Sequence, residues 1–305
     1  MNACVRAIVR IGAYHGLEVF GFERGYEGLM AGDMRRLGPR DVSDTIQRGG
    51  TFLRTARSEA FYTRAGLQRA ADTLAGHKIG GLIAIGGNGT LMGALDLAGF
   101  GAKVIGLPGT IDNDLAYTDQ TIGFDTAVNT ALYAISNIRD TSTSHERVTI
   151  IEVMGRECGD IAVYAGLTGG AEIILVPEKP VDIDDICRTL IESRNKGKKS
   201  SIIVKAEGVD IGLAALNREI AGRTGLDVKD VVLGYIQRGG TPTANDRMLA
   251  SVLGAKAVEL IKEDIHGVAV GMVNGEVVWP ALGEAMKMKK RDIAPLYDLA
   301  KLLAL

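Results

Sequence analysis

Cysteine is scarce in this 305-residue chain, and the three present, Cys4, Cys158 and Cys187, share no metal-ligand spacing. That usage argues against a zinc framework and leads us to expect a reducing, cytoplasmic compartment. Proline is scarce too, at 7 residues, while glycine reaches 40, a balance that fits tight turns and close backbone approaches rather than a disordered tract. Neither charge sign is in excess. The formal net charge is −2, so the chain offers no global surface for nucleic acid or an acidic membrane. No secretory signal pattern and no bilayer-length apolar run is present. Also missing are Gly-x-x-x-x-Gly-Lys-Ser/Thr, which removes the P-loop NTPases, and Gly-x-Ser-x-Gly. What remains, 46% apolar and 24% charged, is an ordinary globular composition with room for one large or two smaller domains.

Two glycine-bearing stretches organise the rest. One is Ile85-Gly86-Gly87-Asn88-Gly89-Thr90; the other is Leu107-Pro108-Gly109-Thr110-Ile111-Asp112-Asn113-Asp114. Each follows an apolar run (81–85 and 103–107) that reads as a buried strand. Glycines in the first let backbone N–H groups approach an anion, and the helix they open adds its positive end. The second sets two carboxylates, Asp112 and Asp114, on alternate positions of a strand-end loop. As Asx residues they suit a turn, but strand ends are where α/β proteins place their chemistry. One carboxylate can accept a proton from an attacking hydroxyl and the other can hold Mg²⁺. A phosphate cradle beside paired carboxylates points to phosphoryl transfer.

Along the chain, helices are expected at 2–13, 66–76, 90–98, 124–138, 184–194, 211–222, 245–262 and 291–305, a short one at 41–44, and a small-residue one after 160. Strands are expected at 17–22, 147–154, 172–177, 201–206 and 230–236, with a hairpin of 268–273 and 276–279 around Asn274-Gly275. Residues 25–32 read as turns, 48–57 as a loop exposing Arg48, Arg54 and Arg57, and 141–144 as a polar loop. A helix leads the chain, where α/β proteins usually lead with a strand. The alternation predicts an α/β fold of two doubly wound domains with mostly parallel sheets and an active site in the cleft between them. The expected domains are 1–123 with 237–290 and 124–236 with 291–305.

Single motifs remain ambiguous. Gly87-x-Gly89-x-x-x-Gly93 after a strand resembles a dinucleotide fingerprint, but the acidic residue that should end the next strand is missing, which disfavours an NAD-type oxidoreductase. Glycines serving only a tight strand–helix turn are the plain alternative. Arg156, Glu207 and Arg238 suit anion or sugar binding at strand ends, although each alone is more often a surface residue. His145 beside Ser144 suits a loop hydrogen bond better than catalysis.

Taken together, the strings MNACVRAIVR, RGGTFLRTAR, IGGNGT, GLPGTIDND, TIGFDTA, RDTSTSHER, EVMGRECGD, KGKK and LGYIQRGGTP resemble the bacterial ATP-dependent 6-phosphofructokinases, in that family's order and over most of the chain. The resemblance implies transfer of the ATP γ-phosphoryl group to the 1-hydroxyl of fructose 6-phosphate. It implies Asp112 as general base, Thr110 as a holder of the transferring phosphate and Arg156 as its stabiliser. It implies ATP contacts at Arg57, Ser58, Gly87, Asn88, Gly89, Thr90 and Gly93, with Mg²⁺ at Asp114 and Asn88. Fructose 6-phosphate would meet Thr110, Asp112, Asp114, Met154, Gly155, Arg156, Glu207, Tyr235 and Arg238, with Arg147 and Lys229 reaching in from a neighbouring subunit of a homotetramer. An effector site for ADP or phosphoenolpyruvate would fall on Arg6, Arg10, Arg139, Gly170, Glu172, Lys196 and Lys198. Relatives that use pyrophosphate typically carry Asp and Lys where Gly89 and Gly109 stand, so the glycines imply ATP.

The sequence departs from the family pattern in places. Met1 aligns with an internal methionine, so the family's opening strand and Gly-Gly-Asp-x-Pro-Gly loop have no counterpart in these residues. Asn88 stands for an Asp, Lys229 for a cross-subunit Arg, Tyr235 for a His and Pro39 for an Arg, with Arg40 adjacent. An amide brings no charge to Mg²⁺, and Lys lacks the bidentate phosphate geometry of Arg. These departures motivate the rival reading, a non-catalytic nucleotide- and sugar-phosphate-binding regulatory homologue.

Overall fold

The structure is a computed structural model that describes residues 1–304. It opens with α1 (Asn2–Tyr14), β1 (Val19–Phe22), α2 (Tyr26–Ala31), β2 (Met34–Leu37), α3 (Arg64–Gly76), β3 (Leu82–Gly86), α4 (Asn88–Ala98) and β4 (Val104–Pro108). There follow α5 (Phe124–Ser144), β5 (Val148–Val153), α6 (Asp160–Thr168), β6 (Ile173–Leu175), α7 (Ile183–Asn195), β7 (Ser201–Ala206), α8 (Leu213–Thr224) and β8 (Val228–Val232). The chain ends with α9 (Ala244–Lys262), β9 (Val268–Ala269), β10 (Gly271–Val273), β11 (Glu276–Val278), α10 (Leu282–Ala285) and α11 (Ala294–Leu303).

Two compact units emerge: residues 1–110, 114–125 and 241–290 form the first; 111–113, 126–240 and 291–305 form the second. In the first, a parallel sheet runs β3-β4-β9, and β1-β2 and β10-β11 form antiparallel pairs. β4 is buried along its whole length. Leu107, Ile105 and α9's Leu253 and Val258 share one core with α1's Cys4 and Ile8. Burial pushes the Cys4 thiol up to about 12, so it packs as an inert apolar group. Along β3 runs an apolar groove of about 920 Å³, lined among others by Val5, Ile8, Val9, Phe20 and Leu82.

In the second unit the parallel sheet runs β6-β7-β5-β8. All six residues of β7 are buried, as expected for a central parallel strand covered on both faces. Among the described residues no helix is long and apolar enough to cross a membrane.

Several local expectations need correction. Residues 25–32 hold α2, ended by left-handed Gly32, rather than turns alone. Residues 41–44 make turns, not a helix. The Ser/Thr-rich 141–144 segment continues α5: Ser144 Oγ donates to the Asp140 carbonyl four residues back, so the hydroxyls bond the helix instead of breaking it. β8 stops at Val232, and residues 234–238 form a 3₁₀ turn, since Gly234 takes φ +53°. The expected 268–273 strand is split. β9 joins β4 in parallel, whereas β10 pairs with β11 across the Asn274-Gly275 turn. The final position of the predicted terminal helix, 305, lies outside the described residues.

Candidate active site

The first unit presents a glycine cradle. Gly87 caps α4 with extended backbone, and no side chain caps the helix start. The first-turn N–H groups of such a helix have no intrahelical acceptor and carry the positive end of the dipole. Two glycines, Gly86 and Gly109, leave no space for a Cβ here, and Gly87 leaves little. A Cβ on Gly86 would lie 2.3 Å from Thr90 Oγ1, one on Gly87 would lie 3.2 Å from Thr110 Cβ, and one on Gly109 would lie 2.9 Å from Ile85 Cγ2. The two strand-end loops therefore lie against each other because neither carries a side chain at the contact, which brings Thr110 to the cradle.

Gly89 differs: its missing Cβ would meet only the Tyr62 hydroxyl, at 3.9 Å. Gly93 faces inward, where a Cβ would strike Phe61 at 2.8 Å and Tyr26 at 2.9 Å. These two rings stack at 3.9 Å, and the Tyr26 hydroxyl donates to the Thr90 carbonyl at 2.6 Å. Burial raises the Tyr26 phenol well above its ordinary range, so it stays a donor. Gly93 thus makes room for the prop under the cradle rather than lying at its mouth. Arg57 is exposed and Ser58 half-buried on the loop before this aromatic pair, and Asn88 is exposed at the helix start.

Asp114 also belongs to the first unit, and its Oδ1 is buried without a hydrogen-bond partner among the described residues. An orphaned carboxylate oxygen suits Mg²⁺, which binds through one or two carboxylates, substrate phosphates and water. No cluster of three or more His, Cys, Asp or Glu side chains suited to a metal occurs among the described residues.

The second unit holds Asp112, because the chain leaves the first unit after 110 and re-enters it at 114. Asp112 Oδ2 lies 3.2 Å from Arg156 Nε; the carboxylate side chain is 8% exposed and the guanidinium 62%. Asn113 adopts φ +54°, a left-handed conformation Asn tolerates, and its Nδ2 donates to Asp160 Oδ2 at 2.7 Å at the head of α6. Arg156 is left-handed as well, at φ +54°, a strain of about 1–2 kcal/mol that neighbours must hold. Glu207 Oε1 does so by accepting from Arg156 N at 2.9 Å and Gly155 N at 3.3 Å. Gly155 has φ +138° and no space for a Cβ, which would sit 2.4 Å from the Cys158 carbonyl oxygen. Met154 N donates to Gln237 Oε1 at 2.9 Å, tying residues 154–156 to the 3₁₀ turn that carries Tyr235 and Arg238. The Arg238 guanidinium lies 4.9 Å over the Tyr235 ring, which is 79% exposed.

Arg147 and Lys229 sit together in this unit on one carboxylate: Asp227 is 2.6 Å from Arg147 Nε and 3.0 Å from Lys229 Nζ. The hydrogen bond from Lys229 lowers the Asp227 pKa. Of the expected effector residues, Arg6 and Arg10 lie on α1 of the first unit and the other five in the second. Glu172, buried, lies 2.5 Å from Lys198 and 3.7 Å from Arg139 and accepts from Ile202 N. Arg139 also donates to the Gly169 and Gly170 carbonyls at 2.7 Å each, and Lys196 caps the end of α7. Gln237, Asp160 and Tyr26 emerge only from the structure. The first two fall inside quoted strings, IQRGG and GRECGD, but nothing in a sequence reports a side chain's bond to a distant partner.

The family model described as Phosphofructokinase matches residues 1–261. The ATP-dependent 6-phosphofructokinase of Clostridium tetani (strain Massachusetts / E88) is 52% identical over 305 residues, covering 100% of this chain and 95% of that protein. That of Clostridium novyi (strain NT) is 51% identical over 304 residues, with the same coverages. Among solved structures, phosphofructokinase from Saccharomyces cerevisiae matches with a TM-score of 0.89 and 32% identity, covering all of this chain and 46% of that one. A glycine cradle at a helix start, a carboxylate–arginine loop and these full-length likenesses agree, and the chain belongs to the phosphofructokinase family.

Proposed function

We infer that this chain is an ATP-dependent 6-phosphofructokinase, transferring the γ-phosphoryl group of ATP to the 1-hydroxyl of fructose 6-phosphate to give fructose 1,6-bisphosphate and ADP. The observation that carries the chemistry is the Asp112–Arg156 pair, a nearly buried carboxylate held by an exposed guanidinium. Asp112 accepts the proton of the 1-hydroxyl as its oxygen bonds to the γ-phosphorus and the bond to the bridging oxygen of ADP breaks. Arg156, positioned by Glu207, stabilises the charge on the transferring group. Thr110 orients that group, and residues 87–90 hold the nucleotide's phosphates on backbone N–H groups. Arg57 and Ser58 contact the nucleotide. Met154, Gly155, Glu207, Tyr235 and Arg238 bind the sugar phosphate. Mg²⁺ on Asp114, assisted by Asn88, would neutralise charge on the phosphates when bound.

ATP is the donor in this reading because glycine stands at 89 and 109, where relatives that use pyrophosphate typically carry Asp and Lys, and Gly89 has open space beside it. Further parts of the proposal are a cytoplasmic homotetramer, with Arg147 and Lys229 serving a neighbouring subunit, and regulation by ADP or phosphoenolpyruvate at the Glu172 cluster. The test is a coupled assay with ATP and with pyrophosphate on the wild-type protein and Asp112→Ser. Turnover with ATP alone is expected, and kcat should fall by about 10²–10⁴ in the variant, with fructose 6-phosphate binding largely kept. Binding of both substrates without turnover would favour the regulatory homologue, and near-normal turnover in Asp112→Ser would remove Asp112 as the base.

A further inference from the structure

Lys205 is the one lysine among the largest fully buried side chains, 1% exposed in the middle of a sheet. Lysines are almost never buried so completely without a partner. Here Nζ donates to Glu152 Oε2 at 3.0 Å and to the Ala206 carbonyl at 3.2 Å. Lys205 and Glu152 face each other across β7 and β5 in the parallel register. An apolar pair of similar volume would hold two strands as well or better, so stability alone does not account for the charges.

Their placement does. Each residue stands just upstream of a segment assigned to the sugar phosphate. β7 runs through Lys205 and Ala206 into Glu207, and the carbonyl that Lys205 grips belongs to the peptide entering Glu207. β5 runs through Glu152 and Val153 into residues 154–156, and Glu207 N donates back to the Val153 carbonyl at 2.8 Å. The Glu152 carbonyl in turn accepts from Leu233 N at 3.0 Å, immediately before the 3₁₀ turn that carries Tyr235 and Arg238. The two residues of this pair therefore stand at the roots of all three segments.

We propose that Lys205, through Glu152 and the Ala206 carbonyl, is a positioning residue that sets the pose of Glu207 and hence of the Gly155-Arg156 turn, and so sets affinity for the phosphorylated sugar. This rests on the functional reading above. Its ammonium fixes the peptide plane from which Glu207 projects; Glu207 then accepts from the two N–H groups that hold Arg156 left-handed.

The test compares the wild-type protein, Lys205→Met and the double variant Lys205→Met/Glu152→Leu by calorimetric titration with fructose 6-phosphate and with ATP, alongside thermal melts. Lys205→Met leaves a partly buried carboxylate without its ammonium partner and is expected to melt lower. The double variant removes both charges and is expected to recover stability. Its Kd for fructose 6-phosphate should stay about tenfold weaker, the scale of one charge-assisted hydrogen bond, while the ATP Kd is unchanged. Recovery of sugar-phosphate affinity together with stability would reduce the pair to a structural role and overturn the inference, as would unchanged affinity in both variants. If the wild-type protein binds no fructose 6-phosphate, the functional reading fails and this inference fails with it. If it binds and only the variants behave as wild type, this inference alone fails.

Discussion

In the first unit the loops assigned to the nucleotide owe their shape to atoms they lack: Gly86 and Gly109 leave no room for a Cβ, and Gly87 leaves little. In the second unit the loop assigned to the sugar phosphate is held by side chains that reach backbone. Glu207 accepts from the backbone N–H groups of residues 155 and 156 and Gln237 from that of Met154, while Asp112 meets the Arg156 guanidinium side chain to side chain. On the proposed function, the contrast follows from the ligands. Phosphate chains are bound by close approach to N–H groups, which any Cβ obstructs. A sugar phosphate and a reacting hydroxyl need directional charged groups, and those need supports. The cradle should therefore fail when atoms are added, the second site when they are removed.

After Asp112→Ser, the largest expected effect that sharpens this contrast is in the first unit. Gly93→Ala drives a methyl into the Tyr26–Phe61 stack, an overpacking cost of about 1–3 kcal/mol, read as a lower melting temperature. Gly89→Ala has open space and exchanges a helical glycine for alanine, so stability should hold or rise by up to about 1 kcal/mol. Equal losses in the two variants would break the distinction between packing and cradle glycines. Gly89→Asp should fold equally well yet raise the KM for ATP, since it sets a carboxylate against phosphate; an unchanged KM would separate Gly89 from the nucleotide.

A smaller effect is expected from Glu207→Gln in the second unit. The amide oxygen can still accept from residues 155 and 156 but without charge assistance, so KM for fructose 6-phosphate should rise by about tenfold at most while KM for ATP stays put. A change confined to ATP would contradict the assignment. Smallest is Asp227→Asn. The Lys229 and Arg147 partners hold the Asp227 pKa below its ordinary value. The ionised form then contributes stability that is present above the unfolded pKa and is lost as pH falls through the folded one. Wild type and variant melts should differ at neutral pH by little, the pair being exposed, and converge below about pH 4. A gap that widens on acidification would reverse that sign.

Much of the molecule was legible from local rules. The apolar runs before Gly86 and Gly109 became β3 and β4, and the alternation of strand and helix gave parallel sheets. Where local reading failed, a competing bond decided. Ser144 continued α5 by donating to Asp140, and Gly234 turned the chain so that Tyr235 left the expected strand for a 3₁₀ turn. The two-residue β9 was inseparable in sequence from β10, because only pairing with β4 distinguishes them.

The sequence by itself determined the strand-end glycines, the Asp112 and Asp114 positions and the family resemblance, since all are written in contiguous strings. Tertiary structure alone decided that Gly93 serves a ring stack, that Arg147 and Lys229 share Asp227, and that Glu207 and Gln237 hold the Arg156 turn. It also brought Lys205 to Glu152 across 53 residues. Those outcomes depend on strand register and on which buried polar atoms find partners, and neither is fixed by any local run of residues.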